Sequence, residues 1–358
     1  YVLTMVNVGG LDPFESEIRI PEEYGVEQAI GDTLGPGGVF RALRSIPVLV
    51  DIAEDMEELC PEAPLLNYTN PMAPLCWAVD EATAIDVYGL CHSVPPTAAA
   101  IADYVGVDEA DLEYWVAGIN HMAWFLEAEA NGEDVLPALR AAMDDPDTYE
   151  RDTVRFEVFE HFDGFATESS HHLSEYLPYF RTDPARIEEL TGSDYAGRMP
   201  TATYLEGWRE RTRRLEAEGA PFDPEDAEIE RSEEYAARVV HSMETGEVRR
   251  LNLNVRNGTG AIANLPDEAC VEVPCLVDGT GVHPCAVGEL PPQLAALCRS
   301  NVAVQERTVT GALEGDREAV HQAVKLDPLT AAALSLDEAG EMTEELIDAN
   351  AAYLPDLA

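Results

Sequence analysis

The sequence has few basic side chains. Only 22 of its 358 residues are lysine or arginine, and Lys325 is the single lysine. Nucleic acids are bound through clustered basic residues, and anionic membranes attract them too, so neither is an expected partner. The chain also lacks any apolar run of 18 residues or more, and no membrane-spanning helix is expected.

Acidic residues, in contrast, are in large excess. The 69 aspartates and glutamates are spread over the whole chain and give a formal net charge of −47. Repulsion on this scale destabilises a compact fold unless salt screens it, and the screening length falls to about 3 Å at 1 M. We therefore expect a halophilic source and a salt-requiring fold; the alternative is an ordinary acidic cytosolic enzyme.

The seven cysteines include no Cys-x-x-Cys pair. An odd number of scattered thiols indicates a reducing compartment rather than a disulfide framework, so we expect a cytoplasmic protein. Cys270, Cys275 and Cys285 lie close together, as in some zinc sites. They fall in strand-like sequence, however, and buried apolar cysteines are the preferred interpretation.

Strands and helices alternate in the first third of the chain. Apolar runs predict strands and periodic segments predict helices, with strands at 1–8, 64–68 and 85–90 and helices at 41–59, 71–82 and 97–105. This alternation predicts a parallel sheet covered by helices, an α/β fold. Ligand sites in such sheets form beyond the carboxyl ends of the strands, where Gly9-Gly10, Asn67 to Asn70 and Cys91-His92 are all expected.

The pattern changes after about residue 115. Strand-like sequence at 115–118 and 123–130 and a β-rich block at 250–287 predict further strands. Long helices are predicted at 204–218, 224–243 and 291–313, and loops at 144–148 and 219–226. We therefore predict a Rossmann-like domain at 1–115 and an α+β domain at 116–358.

Three short runs resemble those of a known enzyme family. They are Asn67-Tyr-Thr-Asn-Pro-Met-Ala73, Tyr88-Gly-Leu-Cys-His-Ser-Val94 and Ala117-Gly-Ile-Asn-His-Met-Ala-Trp-Phe125. Together they resemble the NAD- and metal-dependent glycoside hydrolases of family 4, most closely the melibiase-type α-galactosidases. Similar runs, among them Asn254-Val-Arg-Asn257 and Val271-Glu-Val-Pro-Cys-Leu-Val277, extend the resemblance over nearly the whole chain. Pro95-Pro96 departs from it, since the family commonly has Gln-Gly there.

The resemblance implies a Rossmann-like NAD-binding sheet followed by an α+β domain of the kind that lactate dehydrogenase and family 4 share. Family members carry a further βαβ segment with a Gly-x-Gly pyrophosphate loop ahead of the position equivalent to Tyr1. We therefore expect this chain to be amino-terminally truncated, without the first strands and the glycine loop. A homo-oligomer, dimeric or tetrameric, is expected on the same ground.

The implied activity is hydrolysis of α-galactosides with no net consumption of NAD. Hydride passes from sugar C3 to NAD, a base removes the C2 proton, the aglycone leaves C1, and the hydride returns after water adds. A divalent metal, expected to be Mn²⁺, polarises the C3 oxygen. The alternatives are an α-galacturonidase or α-glucosidase of the same family, a dehydrogenase of the lactate/malate type, and an inactive sugar-binding remnant.

The resemblance also implies roles for particular residues. Cys91 and His121 match the metal ligands, and His92 matches the general acid. Asn70 matches a residue that binds the substrate. Gly9, Gly10 and Asn67 are expected to bind the NAD cofactor. Asn67 and Asn70 are open to a second interpretation, as turn residues before Pro71. Tyr176 is the expected C2 base, with Tyr179 and Glu168 as alternatives, although 174–180 is also compatible with a strand that buries aromatic side chains.

A glycine-rich segment and a histidine doublet are two further candidates for site residues. Gly31–Gly38 lacks the Gly-Lys-[Ser/Thr] ending of a P-loop and is interpreted as a flexible active-site loop ahead of a helix. His171 and His172 are adjacent, and neighbouring residues on a strand face opposite ways, so only one of them is expected to reach a site.

Overall fold

The computed structural model describes residues 1–183, 185–187, 201–218, 234–258 and 260–358. Within these ranges, ten strands form one mixed sheet. The strands are β1 (Val2–Thr4), β2 (Leu65–Asn67), β3 (Val87–Gly89), β4 (Leu112–Ile119), β5 (Met122–Ala130), β6 (Glu133–Asp134), β7 (Phe165–Ala166), β8 (Arg249–Arg256), β9 (Cys270–Asp278) and β10 (Gly281–Pro284).

Helices precede, connect and follow these strands. They are α1 (Leu11–Glu23), α2 (Gly35–Leu59), α3 (Met72–Ala82), α4 (Val94–Val105), α5 (Leu136–Ala142), α6 (Pro146–Arg151), α7 (Thr153–Phe162), α8 (Ser170–Tyr176), α9 (Thr201–Glu218), α10 (Ala236–Thr245), α11 (Pro292–Glu314), α12 (Arg317–Leu326), α13 (Pro328–Ala333) and α14 (Leu336–Asn350). No helix in the described ranges is both long and apolar enough to cross a lipid bilayer.

The predicted parallel sheet is confirmed in the first third of the chain. β1 pairs with β2 and β2 with β3 in parallel register, with Thr4 opposite Asn67 and Asn67 opposite Gly89. Their carboxyl ends therefore meet at one edge. Pro95 and Pro96 fall in the first turn of α4, where a fixed φ suits a helix start and no intrahelical N–H bond is lost.

The α+β part continues the same sheet rather than forming a second one. The strand order is β1-β2-β3-β8-β9-β4-β5-β6, with β7 on β5 and β10 on β9. β8 joins β3 antiparallel, so the parallel and antiparallel halves share one hydrogen-bonded surface. The predicted division between residues 115 and 116 falls inside β4.

A buried ion pair fixes the start of the chain against the helices. Arg44 Nε lies 2.7 Å from Glu17 Oε1, and both side chains are fully buried. Arg44 also donates to the carbonyl oxygen of Val8, directly before Gly9. The segment that follows β1 is therefore held by a guanidinium group from α2.

Several local predictions were wrong. The strand predicted at 1–8 ends at Thr4, and the Val6 N–H donates instead to the Thr69 hydroxyl at 3.0 Å. The loop predicted at 31–38 contains the start of α2 at Gly35. In the loop predicted at 144–148, the Asp145 carboxylate accepts from the Thr148 N–H and caps α6, which is how helices commonly begin.

Other local predictions fall partly outside the described residues. The loop at 219–226 lies outside them entirely. Of the helix predicted at 224–243, residues 234–243 are described, and the helix in that range, α10, starts at Ala236. The helices predicted at 204–218 and 291–313 are confirmed as α9 and α11.

Candidate active site

The three segments that follow β1, β2 and β3 lie side by side, as the parallel register requires. Gly9 and Gly10 both have positive φ, 76° and 70°, and Gly10 stands at the amino end of α1 without a side-chain cap. A Cβ on Gly9 would come within 2.7 Å of Pro13 Cγ, so only glycine fits there.

The two asparagines behind β2 differ in their bonding. The Asn67 side chain is fully used inside the protein, accepting from the Thr4 hydroxyl and the Thr69 N–H and donating to the Thr69 carbonyl. Asn70 Oδ1 is buried and has no hydrogen-bond partner in the described part of the chain. Asn70 therefore has a side-chain oxygen left for a ligand, whereas Asn67 shapes the turn; their predicted roles stay predictions.

Cys91 is buried directly after β3, at 5% exposure. Its N–H donates to the Tyr235 hydroxyl, and its thiol donates to Ser93 Oγ at 3.3 Å. Burial, together with the negative charge of Glu168, raises the pKa of the Cys91 thiol to about 11. A thiolate at this position therefore needs a compensating positive charge close to the sulfur.

His92 points the other way, into solvent. Its side chain is 60% exposed, and its Nδ1 lies 3.3 Å from Glu234 Oε1. Cys91 and His92 line a cavity of about 420 Å³ together with Tyr235, Arg238 and Arg250, among others. This cavity connects the buried thiol with the surface and is large enough for a sugar ring.

His121 lies in the tight turn between β4 and β5, with φ at 63°. Its side chain is 8% exposed, and its Nε2 lies 3.7 Å from Glu168 Oε2. The pKa of Glu168 is lowered: burial acts to raise it, but the neighbouring His121 and His172 and the Ser169 N–H outweigh that effect. An imidazole and an ionised carboxylate therefore face each other here.

A chain of hydrogen bonds leads away from the other nitrogen of His121. His121 Nδ1 lies 3.0 Å from His172 Nε2, and His172 Nδ1 lies 2.7 Å from Glu175 Oε2. Glu175 Oε1 accepts from the backbone N–H groups of Ala29, Ile30 and Gly31 at 2.6, 3.0 and 3.1 Å. The loop before α2 is thereby connected to His121.

The strand considered at 174–180, with His171 and His172 ahead of it, is not present: Ser170–Tyr176 form α8 and residues 177–180 form a turn. The Ser169 hydroxyl caps this helix on the His172 N–H. On a helix, adjacent residues are turned by about 100° rather than 180°, and both His171 and His172 are buried. His172 is the one that contacts His121.

The three candidates for the C2 base differ in their distance from His121. The Tyr176 hydroxyl is buried and lies 3.2 Å from His121 Nδ1. Burial, together with the charges of Glu168 and Glu175, raises its pKa well above the usual value. Glu168 also lies at His121, whereas Tyr179 is 49% exposed and stacks on Phe162. Only Tyr176 and Glu168 therefore remain close to the predicted metal ligands.

The centre of the site contains buried polar side chains for which the described residues supply no hydrogen-bond partner. Neither amide atom of Asn120 or Asn254 and neither carboxylate oxygen of Glu272 makes a hydrogen bond within the described ranges. Burial and the charges of Cys91 and Glu168 raise the pKa of Glu272 well above its usual value, while His121 acts to lower it. Cys91 and His121 therefore border the same buried carboxylate.

These residues fit a divalent cation as far as donor chemistry is concerned. A thiol, imidazoles and carboxylates are the side chains that hold transition metals, and buried polar groups are normally satisfied. Among the described residues, no three His, Cys, Asp or Glu side chains are placed to share one ion. A cation held by Cys91 and His121 would therefore keep positions for water or substrate oxygens.

Glu175, Glu272, Asn120 and Asn254 were not predicted as site residues. Each lies inside or beside a run that carried the family resemblance, Asn254 in Asn254-Val-Arg-Asn257 and Glu272 in Val271-Glu-Val-Pro. Their position in or beside these runs was the signal by which the sequence could have identified them as site residues. Their chemistry became visible only from their burial and their missing or charged partners.

The fold and the site define an α/β enzyme with a Rossmann-like sheet and a buried thiol, imidazole and carboxylate cluster. Residues 1–107 match the model of the family described as Family 4 glycosyl hydrolase, and residues 116–330 match its C-terminal domain. The chain therefore belongs to the family 4 glycosyl hydrolases, and it is a glycosidase. This finding replaces the alternative of a simple dehydrogenase.

Individual relatives agree. The chain is 42% identical to an α-galactosidase of Bacillus subtilis (strain 168) over 99% of its own length and 82% of the relative's. It is 39% identical to an α-galactosidase of Rhizobium meliloti (strain 1021), covering 100% of this chain and 74% of that protein. A 6-phospho-α-glucosidase from gut microorganisms, solved in complex with NAD and Mn²⁺, has the same fold, with a TM-score of 0.79 and 22% identity over 99% and 82% of the two chains.

Proposed function

We propose that this glycosidase hydrolyses α-galactosides and uses NAD and a divalent metal, Mn²⁺ by preference. The observation that carries the specificity is the similarity to two α-galactosidases over essentially the whole chain. The 420 Å³ cavity at Cys91-His92 offers room for the sugar. The seven cysteines are all free, which supports a cytoplasmic location.

Cys91 and His121 are the proposed metal ligands. When bound, the cation acts as a Lewis acid on a sugar oxygen and favours removal of the proton on the neighbouring carbon. The unpartnered atoms of Asn120, Asn254 and Glu272 border this position and support it. The solved 6-phospho-α-glucosidase with the same fold contains Mn²⁺, which agrees with the choice of ion.

Two side chains are proposed to move protons. His92, exposed at the cavity and 3.3 Å from Glu234, donates a proton to the oxygen of the departing aglycone. Tyr176, hydrogen-bonded to His121, would take the C2 proton in its phenolate form, which a bound cation would favour, and Glu168 is the alternative for this role. Asn70 Oδ1, buried and unpartnered, is proposed to accept from a sugar hydroxyl.

NAD is proposed to bind along the carboxyl ends of β1 and β2. Gly10 begins α1 without a side-chain cap, so the amino end of that helix is a favourable position for a phosphate. Asn67 contributes through the turn that it holds between β2 and α3.

An α-galacturonidase is the second candidate, and one observation favours it. Arg238 and Arg250 line the cavity next to Cys91 and His92. A galacturonide differs from a galactoside in a C6 carboxylate, which arginine recognises well. Glu109 lines the same cavity, however, and opposes an anionic substrate.

The test compares nitrophenyl α-galactoside, α-galacturonide and α-glucoside as substrates in concentrated salt. Turnover of the α-galactoside is expected to require both added NAD and Mn²⁺ and to stop after chelation. NADH should not accumulate. Turnover that survives exhaustive chelation, or net formation of NADH, would refute the proposal, and a preference for the galacturonide would favour the second candidate.

A further inference from the structure

One row across the sheet places polar side chains beside the candidate metal ligands. Gly89 of β3 pairs with Asn254 of β8, Asn254 pairs with Glu272 of β9, and Glu272 pairs with Gly118 of β4. Directly paired residues on antiparallel strands project to the same face. Asn254 and Glu272 are therefore neighbours between two glycines.

Only glycine fits at the two ends of this row of paired residues. A Cβ on Gly89 would lie 2.8 Å from Asn254 Cβ, and one on Gly118 would lie 2.6 Å from Ala123 Cα. Both contacts are shorter than packed carbons allow. The space around the two polar side chains is thus set by the backbone, and Cys91 and His121 follow Gly89 and Gly118 by two and three residues.

Glu272 is the most unusual group in the row. It is fully buried, and neither carboxylate oxygen has a hydrogen-bond partner among the residues that the structure describes. The backbone N–H of His121 faces it but lies outside hydrogen-bond geometry. An unpaired buried carboxylate is costly, so a group that is present in the working protein is expected to compensate it.

The charge of the surroundings indicates what that group is. The charged neighbours that act most strongly on Glu272 are Cys91, His121 and Glu168. The row of the sheet that contains Glu272 begins two residues before Cys91 and ends three residues before His121, so the carboxyl group lies beside both candidate ligands. A divalent cation held by these ligands would compensate an ionised Glu272, whereas an ordered water, the simpler occupant, would not.

We propose that Glu272 is a positioning residue for the divalent cation, a buried counter-charge that retains the ion beside Cys91 and His121. It acts through the cation's charge or through a water bound to the ion, since these three side chains are not placed to share an ion directly. This inference rests on the metal assignment in the proposed function. It adds a carboxylate that had no role there.

The test follows Co²⁺ and Mn²⁺ binding to the purified, metal-stripped full chain in concentrated salt. Thiolate-to-cobalt charge-transfer absorption reports whether Cys91 holds the ion, and the free Mn²⁺ electron paramagnetic resonance signal gives the affinity. The variants are Glu272→Gln, which keeps the shape without the charge, and Glu272→Asp, which keeps the charge. Glu129→Gln, at an exposed position on β5, is the matched control.

Glu272→Gln is expected to weaken both ions by roughly 10- to 100-fold, the usual effect of losing an outer partner of a metal site. The thiolate band should still appear at saturation, and the thermal midpoint of the metal-free protein should be unchanged or higher. Glu272→Asp should recover most of the affinity, and Glu129→Gln should behave as the parent. A structural role would instead lower the metal-free stability and leave affinity per folded molecule unchanged.

The outcomes separate this inference from the proposed function. If the parent shows no thiolate band, the metal assignment fails and this inference fails with it. If the parent shows the band and Glu272→Gln binds as the parent does, the inference alone is overturned and the groups hold water. Failure of Glu272→Gln to fold also overturns it, because a neutral isostere should be tolerated where the carboxylate is unpaired.

Discussion

Replacing Glu175 by glutamine is expected to weaken the metal site indirectly. Glu175 contacts His172, which contacts His121, and the substitution changes which ring nitrogen of each histidine carries the proton. Glu175 can only accept, so His172 Nδ1 carries a proton toward it. A cation at His121 Nε2 requires that imidazole to carry its proton on Nδ1, and His172 Nε2, 3.0 Å away, would then accept the hydrogen bond from His121 Nδ1–H. This leaves the lone pair of His121 on Nε2, the nitrogen that faces Glu168 and is free for a metal.

In Glu175→Gln the side-chain oxygen would stay with the three backbone N–H groups, and the new NH₂ would donate to His172 Nδ1. His172 would then carry its proton on Nε2 and donate to His121 Nδ1, which moves the remaining proton of His121 to Nε2. The metal-binding lone pair would be lost in that arrangement. Affinity for Mn²⁺ is expected to fall roughly 10- to 100-fold.

The same change should also destabilise the fold. Glu175 is 1% exposed and accepts four hydrogen bonds as an anion. Charge-assisted bonds exceed neutral ones by about 1 kcal/mol each, and the neutral side chain recovers part of the desolvation cost, which leaves a net loss of about 2 to 3 kcal/mol.

Urea unfolding in concentrated salt gives this stability, and Mn²⁺ titration of the metal-free protein gives the affinity. Glu129→Gln, which changes one exposed carboxylate, controls for the loss of a charge. A Glu175→Gln protein that binds Mn²⁺ as tightly as the parent would refute the proton arrangement, even if its stability falls as expected.

Four other predictions follow from the structure. Glu17→Gln should lower the unfolding free energy by about 3 to 5 kcal/mol, measured in urea, because it leaves the buried guanidinium of Arg44 without its anionic partner. Moving the protein from salt above about 1 M to about 0.1 M lengthens the screening distance from about 3 to 10 Å, so circular dichroism should show unfolding; full stability there would contradict the halophilic interpretation. Tyr176→Phe should lower kcat by roughly 100-fold or more while Tyr179→Phe changes little, because only Tyr176 contacts His121, and equal effects would reject this choice of base. His92→Asn should slow alkyl galactosides far more than nitrophenyl galactosides, because only poor leaving groups need a proton; a uniform loss would exclude the general-acid role.

The local sequence was sufficient for the order of elements in the first third of the chain. Apolar runs at 64–68 and 85–90 became β2 and β3, because short buried strands leave a clear hydrophobic pattern. The positions of these strands also placed Cys91, Asn70 and Gly9-Gly10 at the carboxyl edge of the sheet, as the parallel register confirms. A chain's hydrophobic pattern and its short motifs are local properties, and local properties can be read in advance.

The choice among neighbouring residues was not local. His172 rather than His171 contacts His121, and Tyr176 rather than Tyr179 is buried beside it, because α8 replaces the expected strand and packing decides which face turns inward. Glu272 and Asn254 lie next to Cys91 only because β8 and β9 insert between β3 and β4 in the sheet. The sequence by itself determined the kind of fold and the chemical groups at its edge; the tertiary structure decided which buried groups meet, since strand pairing between distant segments leaves no periodic signal in either of them.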